Sequence, residues 1–387
     1  MLELSEQNVV EYLCTRGAAT SGQILVQSLS GGVANVVLKI FDAGAGEKVG
    51  TDMRSAAKIK RGDPDTRMNR GACFVIKQPL EKFRTAAEWI VDKDRAVVER
   101  DCMELLAGIL PAGSVPDVLW FDAANNVLAM SCAPTDSVLW KKMLLAGKVS
   151  NAVAQQAGML LAMMHSATRG DAAVEKRYGD PRLFMQQRIE PYLGAVAAKH
   201  ADVAGVLNEL SRELIEAKQC LIHGDYSPKN MFVVSEEKPA AEPPGSVGSS
   251  GAAAAFGHLM LLDFEVAFYG HCAFDVATLI NHLLLKGFVA KGRWRPFVIA
   301  ADAFLQTYEQ AADKSLATAT DALGGLLLAA LLLARIDGKS PVEYITDDAM
   351  KEHIRATAKA LLKRKLTLLE TIDEVSVALA DWADKKS

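Results

Sequence analysis

The stretch Leu221–Val233, LIHGDYSPKNMFV, decides how this chain is read. Leu221 and Ile222 before the polar residues and Met231 to Val234 after them are short apolar runs, which predict two buried strands holding a polar loop between them. Within that loop Asp225 and Asn230 stand five residues apart. By itself the triplet His223-Gly224-Asp225 is also an ordinary turn, in which Asp225 accepts backbone N–H bonds and Gly224 supplies an unusual backbone angle.

A second motif shifts the balance. Leu259–Asp275, LMLLDFEVAFYGHCAFD, is an apolar strand running into Asp263-Phe264-Glu265. Two carboxylates one residue apart at a strand end reach the same cation, and Asp263, Asn230 and Glu265 would supply part of the oxygen shell magnesium favours. A loop Asp that takes a hydroxyl proton, an Asn at this spacing and a later metal-binding carboxylate is the order used in kinase phosphoryl transfer. A strand-end turn carboxylate is the plainer reading of Asp263.

With both motifs in order, the chain resembles the aminoglycoside phosphotransferase and choline kinase superfamily, and within it most of all the 5-methylthioribose kinases. The HGD triplet, the DFE carboxylates and VAFYGHCAFD at Val266–Asp275, close to the FAFYG and downstream FD of methylthioribose kinases, carry the likeness. Gln78–Val91, QPLEKFRTAAEWIV, is similar to the corresponding segment of those kinases. They usually have a Ser-type residue where this chain has Asn230, as the antibiotic and choline kinases do. The resemblance implies an α+β, protein-kinase-like fold in two lobes. Residues 1–132 would form a small antiparallel sheet lobe with one helix, and 133–387 a mainly helical lobe. It implies ATP and Mg2+ as cofactors, Asp225 as the catalytic residue and a small-molecule hydroxyl acceptor, with 5-methylthioribose first. An aminoglycoside or other amino-alcohol acceptor, or a catalytically silent nucleotide-binding scaffold, are the alternatives. Relatives that are dimers make a homodimer the expected assembly, and Arg335 the expected substrate arginine.

The amino-terminal half offers what a nucleotide needs. Leu25–Phe41 reads as two strands joined by Ser30-Gly31-Gly32, a turn whose N–H groups approach phosphates without a Cβ in the way, or else a common hairpin. Cys73–Lys77, CFVIK, is a strand ending in a lysine placed to neutralise phosphates, or a solvated strand-end lysine. In the helix expected at about Asp92–Ala107, Glu99 shares a side with Cys102, Met103 and Leu106, which suits a buried partner for Lys77. Pairing with Arg95 or Arg100 is its alternative. Val127–Pro134 reads as a strand entering a connector, where the resemblance implies that adenine binds, so Met130, Ser131 and Cys132 are the expected hinge through their main chain. The whole reading requires Asp225, Asp263 and Lys77 to surround one cleft.

Length and charge agree. The 387 residues, half of them hydrophobic, suffice for about two domains, and a net charge of −4 argues against a broad nucleic-acid surface. Six cysteines without CxxC spacing read as buried thiols in a reducing cytoplasm. The amino terminus lacks a secretory pattern, and the thirteen-residue apolar run Ala322–Ala334 is shorter than the roughly 20 residues that cross a bilayer, so no membrane role is expected. His165, late in the helix expected over Ala152–Thr168, and His223 read as structural. Asp42–Gly71 reads as an insertion near the nucleotide, and Glu236–Gly257 as a low-complexity excursion.

Overall fold

A computed structural model describes residues 2–18, 24–29, 34–42, 73–82, 90–235 and 256–385. Its residues pack as two compact units, Met1–Ala107 with Pro116–Ala133, and Gly108–Val115 with Pro134–Ser387. Residues 43–71 of the expected insertion and 236–255 of the low-complexity segment lie outside the described residues, as do Gly31 and Gly32.

The first unit is an antiparallel sheet with helices on its faces. Its elements are α1 (Val9–Thr15), β1 (Ile24–Ser28), β2 (Asn35–Asp42), β3 (Cys73–Pro79), α2 (Arg95–Leu106), β4 (Val118–Asp122) and β5 (Val127–Ser131), with strand order β1-β2-β3-β5-β4. Alternation along β2 and β3 turns Val36, Leu38, Ile40, Phe74 and Ile76 to one face, where they form a core with Leu4, Val9 and Leu13. Strand alternation sends Lys77 to the face opposite Ile76, the side of α2. Arg95 fastens the start of α2: its fully buried guanidinium donates to the carbonyls of Ala34 and Leu80, both at 2.6 Å.

The same sheet corrects the expectation that every cysteine is a free thiol. Register pairs Phe74 with Ser131, so Cys73 and Cys132 fall side by side at the strand ends and form a disulfide across a Cα–Cα distance of 5.8 Å.

The second unit is mainly helical. In chain order it holds β6 (Val138–Leu139), α3 (Trp140–Leu145), α4 (Asn151–Thr168), α5 (Ala172–Tyr178), α6 (Arg182–Phe184), a π-helical segment Met185–Gly194, α7 (Ala195–Lys199), α8 (Ala204–Glu216) and β7 (Cys220–Ile222). A 3-10 turn, Pro228–Asn230, leads to β8 (Met231–Ser235), β9 (Phe256–Leu261), β10 (Phe268–Gly270), α9 (Ala273–Phe288), α10 (Arg295–Ala311), α11 (Lys314–Asp337), α12 (Asp348–Leu361) and α13 (Leu368–Lys385). Phe256 and Gly257 therefore belong to a strand rather than to the excursion expected over Glu236–Gly257. The α+β class expected from the sequence, with an antiparallel sheet in the first unit and mainly helices in the second, is the class observed.

Two small antiparallel sheets frame the HGD loop. β7 pairs with β10, and β8 lies between β6 and β9. Helix α9 is buried along all sixteen of its residues, against α10 and α11. Helix α11 is longer than its apolar run suggested: its 24 residues satisfy the length and composition of a membrane span. Two thirds of its apolar window is nevertheless buried among α9, α12 and α13, as in a core helix.

Candidate functional site

The HGD loop is held by main-chain bonds to one helix. Gly224 has φ of +75°, and a Cβ there would come within 2.4 Å of the Val266 carbonyl, so only glycine fits. Asp275, in the first turn of α9 and fully buried, accepts the N–H of His223 at 2.6 Å through Oδ2 and that of Gly224 at 2.9 Å through Oδ1. His165 reaches the same carboxylate at 3.3 Å and the Tyr308 hydroxyl at 2.9 Å, which makes it a brace.

His223 is likewise structural. Its Nδ1 accepts the N–H of Asp225 at 3.2 Å, and its Nε2 donates to the Leu262 carbonyl at 3.0 Å. Burial lowers its pKa against the pull of Asp275, Asp225 and Asp263, which favours the neutral ring those two bonds require. Its ring also packs on Phe264 of the DFE motif at 4.7 Å, tying the two motifs together.

Asp225 is 4% exposed and carries two cations on one oxygen. Arg188 Nη2 lies 3.0 Å and Lys229 Nζ 2.8 Å from its Oδ2. Burial acts to raise the pKa of Asp225, but Arg188 and Lys229 outweigh it and hold the carboxyl far below the usual carboxylate range. Arg188 comes from the π-helical segment, whose wider turn contains Pro191, and its Nε also donates to the Gly224 carbonyl.

Asn230 donates through Nδ2 to the Asp225 carbonyl at 3.0 Å, which turns its oxygen away from that group. The Leu262 N–H donates to the Asn230 carbonyl at 2.9 Å, setting Asp263 one residue from this contact. Asp263 has φ of +67°, a conformation that Asp adopts more readily than most residues and that redirects the chain after β9. Carboxylate oxygens of Asp263 and Glu265 lie within 4.8 Å of one another. Two carboxylates and a carboxamide oxygen are hard donors of the kind magnesium takes, so the residues fit that ion.

In the first unit, Lys77 and Glu99 meet as their spacing suggested. Lys77 Nζ lies 2.8 Å from both Glu99 oxygens, with both residues buried. Arg100 pairs instead with Asp101. Of the hinge residues, Met130 pairs with Val75 within the sheet, Ser131 gives its N–H to the Asp117 carbonyl at 2.9 Å, and Cys132 is in the disulfide.

Several groups around Asp225 had no signal in the sequence. Arg188 and Lys229 are two, and Asp275 entered only as the end of a motif. Tyr192, beside Arg188, and His282, which the charge of Asp225 reaches, are others. Arg335, on α11, donates to the Tyr192 hydroxyl at 3.1 Å and to Ser340 Oγ at 3.3 Å.

The profile of the phosphotransferase enzyme family matches residues 85–240. A methylthioribose kinase of Yersinia pseudotuberculosis is 24% identical over 307 residues, 72% of this chain and 64% of that protein. Methylthioribose kinase 1 of Oryza sativa subsp. japonica is 22% identical over 246 residues, 56% of this chain and 52% of that protein. The chain thus spans about half to two thirds of the length of the curated relatives it matches. A choline/ethanolamine kinase family protein from Mesorhizobium loti is similar in structure over 97% of this chain and 99% of that one, with a TM-score of 0.44 and 13% identity.

Proposed function

We propose that this chain is an ATP-dependent kinase that transfers the γ-phosphoryl group to a hydroxyl of a sugar-like acceptor, with 5-methylthioribose the acceptor favoured by its relatives. The observation that carries the reading is Asp225, charged, buried and locked by the bonds of Asp275 to the backbone on its N-terminal side. Phosphoryl transfer asks the protein chiefly for positioning and for positive charge where negative charge spreads. Asp225 would orient the acceptor hydroxyl and take its proton late, because so weak a base does not remove it early. Arg188 and Lys229 bring cations to the same place.

Lys77, oriented by Glu99, would neutralise the nucleotide phosphates. Asp263, Asn230 and Glu265 would hold magnesium, which when bound supplies charge neutralisation on the phosphate oxygens. An aminoglycoside or amino-alcohol acceptor is disfavoured by the two cations on Asp225, which would repel a cationic substrate. A silent scaffold would not need Asp225, Asn230 and Asp263 together. A cytoplasmic location and a homodimeric assembly belong to the same proposal.

The test is ADP release with methylthioribose, ribose, choline and kanamycin in turn. Acceptor-dependent, magnesium-dependent release with a sugar supports the reading. Binding of MgATP with no acceptor-dependent release across these and the acidic sugars considered below would leave the scaffold in its place.

A further inference from the structure

Helix α9 has no exposed residue, yet Asp275, Thr278, His282 and Lys286 follow one another along it at three- and four-residue steps, on one face. The near end of this stripe is occupied by the HGD loop. Further along, burial and the positive charges of Lys286, Arg335 and Lys229 lower the pKa of His282 against the pull of Asp225, so charges of the HGD loop and of a second group of cations both reach it.

That second group is not neutralised. Lys286 is 1% exposed, and its ammonium donates to the His282 carbonyl at 3.0 Å and lies 5.1 Å from the centre of the Tyr344 ring. Arg335 is 8% exposed; among the described residues its Nη1 donates to the hydroxyls of Tyr192 and Ser340, and its Nε has no acceptor. Among the described residues neither cation has a carboxylate at ion-pair distance, since nearby Glu343 is taken by Lys141. The Tyr344 hydroxyl and Thr278 Oγ1 are also buried without partners. Unpaired buried charge costs several kcal/mol, so a fold keeps it where something else supplies the counter-charge. The strain is visible in Lys286. Burial, with Lys141 and Arg335 nearby, pushes its pKa down to about 7 despite the opposing Glu343.

We propose that Lys286 and Arg335, with the hydroxyls of Tyr192 and Tyr344, form an oxyanion subsite for the acceptor. The hydroxyl compound phosphorylated at Asp225 would then carry a carboxylate or a phosphate ester. The inference rests on the kinase reading and, in place of the neutral methylthioribose that the relatives suggest, assigns the acceptor to the acidic sugars or polyols.

Isothermal calorimetry and ADP release are to be compared for D-gluconate, D-glucuronate, D-ribose 5-phosphate, methylthioribose and ribose, with wild type and Lys286→Met. The expected result is binding of at least one acidic sugar and about tenfold or greater weakening in the variant, a difference of about 1.4 kcal/mol. Carboxylate and phosphate compounds distinguish the two sources of the anion. Lys286→Met should melt at or above the wild-type temperature, because an unpaired buried charge has gone, and should lose the increase in melting temperature that the acidic sugar gives wild type. A large fall in the variant's melting temperature would make Lys286 a structural lysine and overturn the subsite. So would preference for neutral methylthioribose, which leaves the kinase reading standing. Lysine-dependent binding of an acidic sugar without ADP release would keep the subsite and remove the kinase. No binding of any acidic sugar would end the proposal irrespective of activity.

Discussion

Asp275 Oδ2 accepts the backbone N–H of His223 at 2.6 Å, so the HGD loop is positioned from a residue fifty-two places further along the chain. Its second oxygen takes the N–H of Gly224. In Asp275→Asn one of these N–H groups meets an amide NH2 instead of an oxygen, and a buried donor left unsatisfied costs about 1–3 kcal/mol. The variant should fold with a lowered melting temperature and lose about tenfold or more in kcat, while MgATP affinity stays near wild type. Undiminished kcat would show that the loop holds its shape without this carboxylate.

Gly224→Ala should be more severe. The new methyl meets a backbone carbonyl at 2.4 Å and the residue would have to keep φ at +75°. Strain of this kind costs about 1–3 kcal/mol for the dihedral alone. Loss of both turnover and stability is expected by kinetics and thermal melting, and a variant of wild-type behaviour would mean the loop has another conformation.

Acid should act on the second unit through Asp225. Its carboxyl has a depressed pKa in the folded protein, so its ion pairs contribute stability that is complete above the unfolded value of about 3.9 and is lost as pH falls through the folded one. Asp225→Asn should therefore flatten the fall in melting temperature below about pH 4. An identical acid profile for the two proteins would contradict the pairing with Arg188 and Lys229.

The framing of the motifs was legible because it is local: the apolar runs on either side of HGD and before DFE form β7, β8 and β9. Lys77 with Glu99 was legible too, since strand alternation and helix period place each side chain. What escaped notice lies across the fold. Cys73 and Cys132 are joined by the register of β3 with β5, a separation of 59 residues that no spacing rule covers. Arg188 depends on a π-helical turn. Lys286 sits in LINHLLLKGF, a run whose apolar residues dominate its reading, and only tertiary packing shows that its ammonium is buried with no carboxylate at ion-pair distance among the described residues.

The disulfide gives a direct count. Denatured, unreduced protein should show four reactive thiols, Cys14, Cys102, Cys220 and Cys272, and six after reduction. Six thiols before reduction would restore the expectation of unpaired cysteines in a reducing compartment.

Lys286 predicts a pH dependence of the opposite sense. With its pKa near 7, it is charged below that value and neutral above it, so affinity for an acidic sugar should fall as pH rises above 7, and Lys286→Met should remove that slope. The unfolded chain, with an ordinary lysine near 10.4, binds more protons between about 7 and 10, so free-protein stability should rise over that interval. A flat affinity profile for wild type would count against Lys286 as the anion's partner.

The central claim is that Asp225 serves phosphoryl transfer to a hydroxyl. Phosphorus NMR of wild type and Asp225→Asn, incubated with MgATP and the best acceptor of the panel, measures it directly. Wild type should convert ATP to ADP and a phosphate ester, while the variant, still binding MgATP, should be slower by about a hundredfold or more. Equal rates of ester formation by the two proteins would contradict the account.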